Sequence, residues 1–204
     1  MISIENKVIF THPPRCGGTS FESLLGLPES GEHFEKYKHA SLTEHISYIE
    51  NLNLKENDFK KVSVIRNPWE RMVSWFLFLK KRKNPYVKNT DFQKFVEKCT
   101  FHEFIRFINT ILSSNSFLKR PYMFYMCDKG SFKIEYLIRY ENYESDINKV
   151  LNLLNFKNEN SDLKLPEKRG CGSNYNYRNF YNRETKNIVN IIYQDDINFF
   201  KYCF

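Results

Sequence analysis

Residues 7–25, KVIFTHPPRCGGTSFESLL, decide how this chain is read. A short apolar run is followed by a loop with paired prolines, an arginine and paired glycines, and then by a Thr-Ser step into an amphipathic turn. That order predicts a strand, a loop and a helix. Gly17 and Gly18 lack a Cβ, so the backbone can curl closely around an anion and turn its N–H groups inward. Thr19 and Ser20 add hydroxyl donors where the helix begins, beside exposed N–H groups and the positive end of the helix dipole. Arg15 adds a full charge on a planar fork suited to phosphate or sulfate oxygens. Glycine and proline also punctuate ordinary strand-to-helix turns, so the loop alone leaves an anion cradle and a plain connection both open.

A second unit of the same kind lies downstream. Lys61-Val62-Ser63-Val64-Ile65 reads as a buried strand and is followed at once by Arg66-Asn67-Pro68 and the helical stretch Trp69 to Lys81. Asn67 is a suitable N-cap, and Pro68 falls at the first helical position, where its missing N–H costs nothing. Arg66 stands at the carboxyl end of that strand, where open parallel sheets place their ligands, and Ser74 lies two turns along the helix. Structural readings of both, an ion-pair arginine and a small packing serine, stay open at this stage.

The rest of the chain frames these two units. A length of 204 residues suits one domain, 1–204, with a substantial core, and no repeat or long linker argues for two. With 31 Lys and Arg against 24 Asp and Glu, the net charge of +7 favours an anionic ligand. Aromatic residues at 17% exceed what a disordered basic tail carries, so the chain is globular. No apolar run matches a signal peptide or approaches a membrane span, which predicts a cytoplasmic protein. The five cysteines are odd in number, scattered and without a Cys-x-x-Cys pair. They read as reduced thiols, with a Cys99–Cys127 disulfide left open. No group of His, Cys, Asp and Glu has ligand spacing, so no metal is expected.

Between the two units, Ser41 and Glu44 make a capping box for a helix over Leu42 to Leu52. His39 then falls in the loop just before it, as a general base, a phosphate contact or a surface residue. Phe92 to Leu112 predicts two helices broken near Thr100, and Asp128-Lys129-Gly130 a hairpin turn. Tyr136 to Tyr140 reads as another buried strand, Glu141 to Phe156 as a helix, and Leu163 to Tyr177 as a basic loop, equally able to close over an anion or to serve as a surface connection. Thr185 to Phe200 reads as one helix packed on the sheet.

The pair PRCGGTSF and VIRNPWERMVSWF resembles the sulfotransferases that use 3'-phosphoadenosine 5'-phosphosulfate (PAPS), most closely their carbohydrate branch. That family's first motif commonly reads Pro-Lys-x-Gly-Gly-Thr-Ser and its second Val-Arg-Asn-Pro-x-x-Arg-x-x-Ser, matching Pro14 to Ser20 and Ile65 to Ser74. Later segments, LIRYENYESDINKVLNLLNF and YRNFYNRETKNIVNIIYQDDINFFKY, look like the family's later strand-helix and closing helix, so the resemblance spans nearly the whole chain. It implies an α/β, P-loop-like three-layer fold with a mainly parallel central sheet flanked by helices. By position, Arg15, Cys16, Gly17, Gly18, Thr19 and Ser20 would hold the 5'-phosphosulfate, Arg66 and Ser74 the 3'-phosphate, and Arg169 would help cover the nucleotide. His39, in its Lys-His-Ala context, resembles the family's general base, with Glu22, His12 and His45 next in line. PAPS would be the co-substrate, its bisphosphate PAP the product, and a hydroxyl of a saccharide or related molecule the acceptor. The family's usual lysine is Arg15 here, which keeps the charge but cannot give up a proton.

Two rival classes remain. A P-loop kinase would end its loop in Gly-Lys-Ser/Thr and close a strand on a magnesium-binding Asp. This loop ends Gly-Gly-Thr-Ser and the second strand closes on Arg66, which favours a metal-free donor. A nucleic-acid module would account for the charge and the aromatics, but the basic residues are dispersed and match no such signature, so no nucleic-acid partner is expected.

Overall fold

Strand β2 (Val8–Thr11) is buried along its whole length, as a strand covered on both faces must be. Side chains alternate between the faces of a strand. Ile9 therefore joins Leu42, Ile46 and Ile49 of helix α2 (Leu42–Asn51) in one apolar cluster. Phe10, on the other face, packs at 4.8 Å between ring centroids against Phe21 of helix α1 (Gly18–Leu24). In the computed structural model, residues 1–27, 30–31, 36–81, 91–111, 116–156 and 175–204 are described.

The sheet runs in the order β1, β2, β3, β6, where β1 is Ile2–Ser3, β3 is Lys60–Ile65 and β6 is Tyr136–Arg139. β2, β3 and β6 are parallel, with Phe10 opposite Val62 and Val62 opposite Tyr136, while β1 is antiparallel to β2. The protein is thus α/β with a mostly parallel sheet and flanking helices. Parallel pairing brings the carboxyl ends of β2 and β3 side by side, and the Ser63 hydroxyl donates to the Thr11 carbonyl at 2.8 Å.

By contacts the chain forms two compact units. The first comprises Met1–Arg66 and Tyr122–Arg169, the second Asn67–Pro121 and Gly170–Phe204. The first holds the sheet, α1, α2, the short helix α6 (Tyr122–Met126), a hairpin of β4 (Cys127–Asp128) and β5 (Ser131–Phe132), and α7 (Tyr143–Leu153). The hairpin turns through Lys129 and Gly130, both at positive φ, the geometry that two-residue hairpin loops favour.

The second unit is helical. It contains α3 (Pro68–Lys81), α4 (Asp91–Lys98), α5 (Phe101–Ile111), α8 (Arg183–Ile192) and α9 (Gln194–Phe200). Asn67 Oδ1 accepts the Trp69 and Glu70 amides and so caps α3. The break between α4 and α5 falls at Cys99 and Thr100, where the Thr100 amide and hydroxyl donate to Glu103.

The expectation of one closing helix over Thr185 to Phe200 needs correction. The chain instead breaks at Tyr193 (φ −116°, ψ 25°). Tyr193 is buried, its hydroxyl donates to the Leu118 carbonyl, and Arg71 lies 5.5 Å from its ring centroid. That anchored ring holds the junction, and the restarted helix puts Asp195 and Asp196 in its first turn, where the dipole favours acids. The buried side chains Val189 and Ile197 belong to the helical core formed with Trp69, Met72, Phe104 and Ile108. An Asn182–Thr185 capping box, which periodicity does not reveal, starts α8.

Cys16, Cys99, Cys127 and Cys203 are free thiols. Cys171, Arg169, Arg82 and Lys83, and all but Tyr175, Asn176 and Tyr177 of the expected basic loop, lie outside the described residues.

Candidate active site

The loop after β2 is held in a shape that ordinary side chains resist. Arg15 stands at φ 68° and Gly17 at φ 89°. For a non-glycine residue that conformation stores about 1–3 kcal/mol, and surrounding contacts must hold it. Gly17 is the N-cap of α1 and gives it no side-chain cap. A Cβ on Gly17 would meet the Tyr140 ring at 2.9 Å. One on Gly18 would lie 1.4 Å from Nδ1 of His12, inside the imidazole. The first glycine is therefore demanded by the backbone path and the second by packing against His12.

Two tyrosines after β6 brace this loop. The Tyr143 hydroxyl donates to the Gly17 carbonyl at 2.5 Å. Burial raises the Tyr143 phenol above its usual range, and a hydrogen bond with the Ser20 side chain works in the opposite direction. Tyr140 lies against Gly17 and carries the Arg66 guanidinium on its ring, 4.0 Å from the centroid. A cation over an aromatic face at this distance is attracted by the ring quadrupole. Sequence reasoning missed both residues, and their signal was a Tyr-x-x-Tyr spacing at the turn into α7.

The end of β3 meets the same loop. Arg66 Nη1 donates to the Arg15 carbonyl at 3.3 Å. The Tyr122 hydroxyl donates to the Arg66 carbonyl at 2.5 Å and lies 3.9 Å from Cys16 Sγ. Cys16 is fully buried, so its side chain faces the protein and what it can offer a ligand is its backbone amide. Thr19 and Ser20 sit half-buried in the first turn of α1.

His39 comes to this region from the turn before α2. The capping box of Ser41 and Glu44 fixes the start of that helix. Two residues before the cap, His39 Nδ1 donates to the His12 carbonyl at 3.1 Å. A carbonyl only accepts, so Nδ1 carries the proton and the neutral ring has its lone pair on Nε2. The His39 and His12 rings stack at 4.5 Å with 24° between planes. His39 is half-buried, whereas His12, Glu22 and His45 are buried.

Arg15, Cys16, Gly17, Gly18, Thr19, Ser20, Arg66 and His39 thus gather in the first unit. Ser74 is a residue of α3 in the second unit, at 2% exposure. Arg71, three residues before it, is fully buried and donates to the Arg120 carbonyl at 3.5 Å. No group of three His, Cys, Asp or Glu suited to a metal ion occurs among the described residues.

Burial is the main cause holding His12 well below the usual histidine value of 6.5; the nearby His39, Met1 amino group, Lys38 and His45 act in the same direction. The unfolded chain takes up a proton near pH 6.5 that the folded chain refuses. Folding stability is therefore full above that pH and falls as pH drops below it, by at most about 1.4 kcal/mol per pH unit from this residue. Melting temperatures recorded from pH 8 to pH 5.5 should show the fall, and His12→Asn should make it shallower. An identical slope in the variant would rule out His12 as the source.

The model of the sulfotransferase family matches residues 1–203. The chain belongs to the sulfotransferase family. Its match runs through both units, and the activity class that goes with it is transfer of a sulfuryl group. No curated protein and no solved structure matches the chain. In this sulfotransferase, among the described residues, no helix is long and apolar enough to cross a membrane.

Proposed function

We propose that this sulfotransferase moves the sulfuryl group of PAPS to a hydroxyl of a saccharide or related acceptor, with His39 as general base. One observation carries the reading. The Arg66 guanidinium, near the start of the second motif, donates to the backbone carbonyl of Arg15 in the first motif, so the arginines of the two motifs meet at one glycine loop. A nucleotide with phosphate at both its 3' and 5' positions suits such a pair.

The loop fits the donor on chemical grounds. Gly17 and Gly18 let backbone amides approach an anion, and Arg15 and Arg66 bring forks that match phosphate oxygens. In the reaction, the acceptor oxygen attacks sulfur as the bond from sulfur to the bridging phosphate oxygen breaks. That electron pair leaves with the phosphate, where Arg15 and the loop amides stabilise the new charge. The acceptor's proton passes to Nε2 of His39, whose Nδ1–H is tied to the His12 carbonyl. Ser74 and Arg169 are assigned to the 3'-phosphate and the nucleotide cover by motif position.

The test is thermal stabilisation by 3',5'-ADP against ATP with magnesium. Ligand at a hundred times its Kd adds about 2.7 kcal/mol to stability. Selective stabilisation by 3',5'-ADP is expected. Arg66→Lys, which keeps the charge but loses the fork, should weaken it about ten-fold or more. Equal stabilisation by both nucleotides would overturn the donor assignment.

A further inference from the structure

Beneath His39 lies a buried pair that the proposed reaction does not use directly. His12 Nε2 is 3.6 Å from Glu22 Oε1, and the two side chains are 3% and 2% exposed. Neither ring nitrogen of His12 has a hydrogen-bond partner among the described residues. The imidazole is wedged instead between Phe10, 5.5 Å away edge to face, the stacked His39 ring and the backbone of Gly18. A hydrophobic side chain of similar size would fill that wedge without the desolvation that a buried histidine and carboxylate suffer. Retaining the polar pair calls for an electrostatic role.

We propose that Glu22 and His12 are positioning residues for His39: the His12 ring and carbonyl fix its orientation, and the Glu22 carboxylate supplies the negative charge that makes it a stronger base. This deepens the proposed function and rests on His39 being the base. Stacking carries no proton between the rings. The coupling is electrostatic: His39 stacks on His12, whose Nε2 is 3.6 Å from the buried Glu22 carboxyl, and burial on the Glu22 side weakens the screening of its charge. Among the described residues, the other charged or titratable groups that act on His12 beside His39 are Lys38, His45 from α2 and the Met1 amino group, all of which oppose a second positive charge. Tyr143 also feels the Glu22 charge. Glu22 is the acid among them.

The test follows His39 directly. Histidine Cε1–H resonances of the full chain are titrated by NMR in the parent, Glu22→Gln and Glu22→Asp. Label transfer from PAPS to the best acceptor of a saccharide panel is measured across the same pH range. The His39 midpoint should fall by about one pH unit in Glu22→Gln, with part of the shift restored in Glu22→Asp, and the acidic limb of kcat/KM should move with it. A His39 midpoint unchanged in the Gln variant overturns the proposal. If that variant does not fold, the Asp variant decides: a lowered midpoint supports the proposal and an unchanged one overturns it. A shifted midpoint with an unmoved acidic limb upholds the pair and overturns His39 as the base.

Discussion

His39→Ala should lower turnover by about 10²- to 10⁴-fold, the usual contribution of a positioned general base. Stabilisation by 3',5'-ADP should remain within about two-fold of the parent, since the variant keeps every group assigned to the donor. The expectation rests on geometry. Among the four candidates that the sequence offers as base, His39 alone is half-buried, and its Nδ1–H is committed to the His12 carbonyl. That bond leaves Nε2 as the basic nitrogen. His45 is fully buried, with Nδ1 donating to the Ser41 carbonyl at 2.7 Å. Transfer of labelled sulfate under saturating PAPS measures the effect. Turnover equal to the parent's would move the base to another residue.

Gly18→Ala should destabilise the fold by about 1–3 kcal/mol, the range for forcing extra volume into a packed site. The melting temperature would fall by on the order of 5 °C. The new Cβ would sit 2.2 Å from Cγ and 2.6 Å from Cβ of His12, so either the imidazole or the first turn of α1 must move. Movement of His12 also disturbs the stack and the carbonyl that orient His39, and turnover should drop with stability. A double-mutant cycle with His12→Ala isolates the cause. With the imidazole gone, Gly18→Ala should cost markedly less than in the parent, because residues in contact couple by about 0.5–3 kcal/mol. Equal costs in the two backgrounds would show that the clash is relieved elsewhere.

The two predictions meet at one side chain. His12 explains why residue 18 has no side chain, supplies the acceptor that sets the His39 tautomer, and lies against both His39 and Glu22. In the sequence it is only a histidine between a strand and two prolines. Its burial comes from Phe10, His39, Glu22 and the Gly18 backbone lying against it, and no local pattern announces that.

Local signals along the chain were enough for most of the elements. Pro68 after a capping asparagine, serine three residues ahead of Glu44, and glycines after the β2 strand are choices whose consequences fall within a turn or two of backbone. The α/β character, the start of α2, the cap of α3 and the break near Thr100 therefore follow from adjacent residues. What required the tertiary structure were partners far apart in sequence: Arg66 against the Arg15 carbonyl, Tyr140 and Tyr143 bracing the loop, and Tyr193 splitting the last helix by reaching Leu118. Those contacts depend on which faces pack together and which polar atoms are then buried. Hydrophobic periodicity marks a face as buried without naming what it meets.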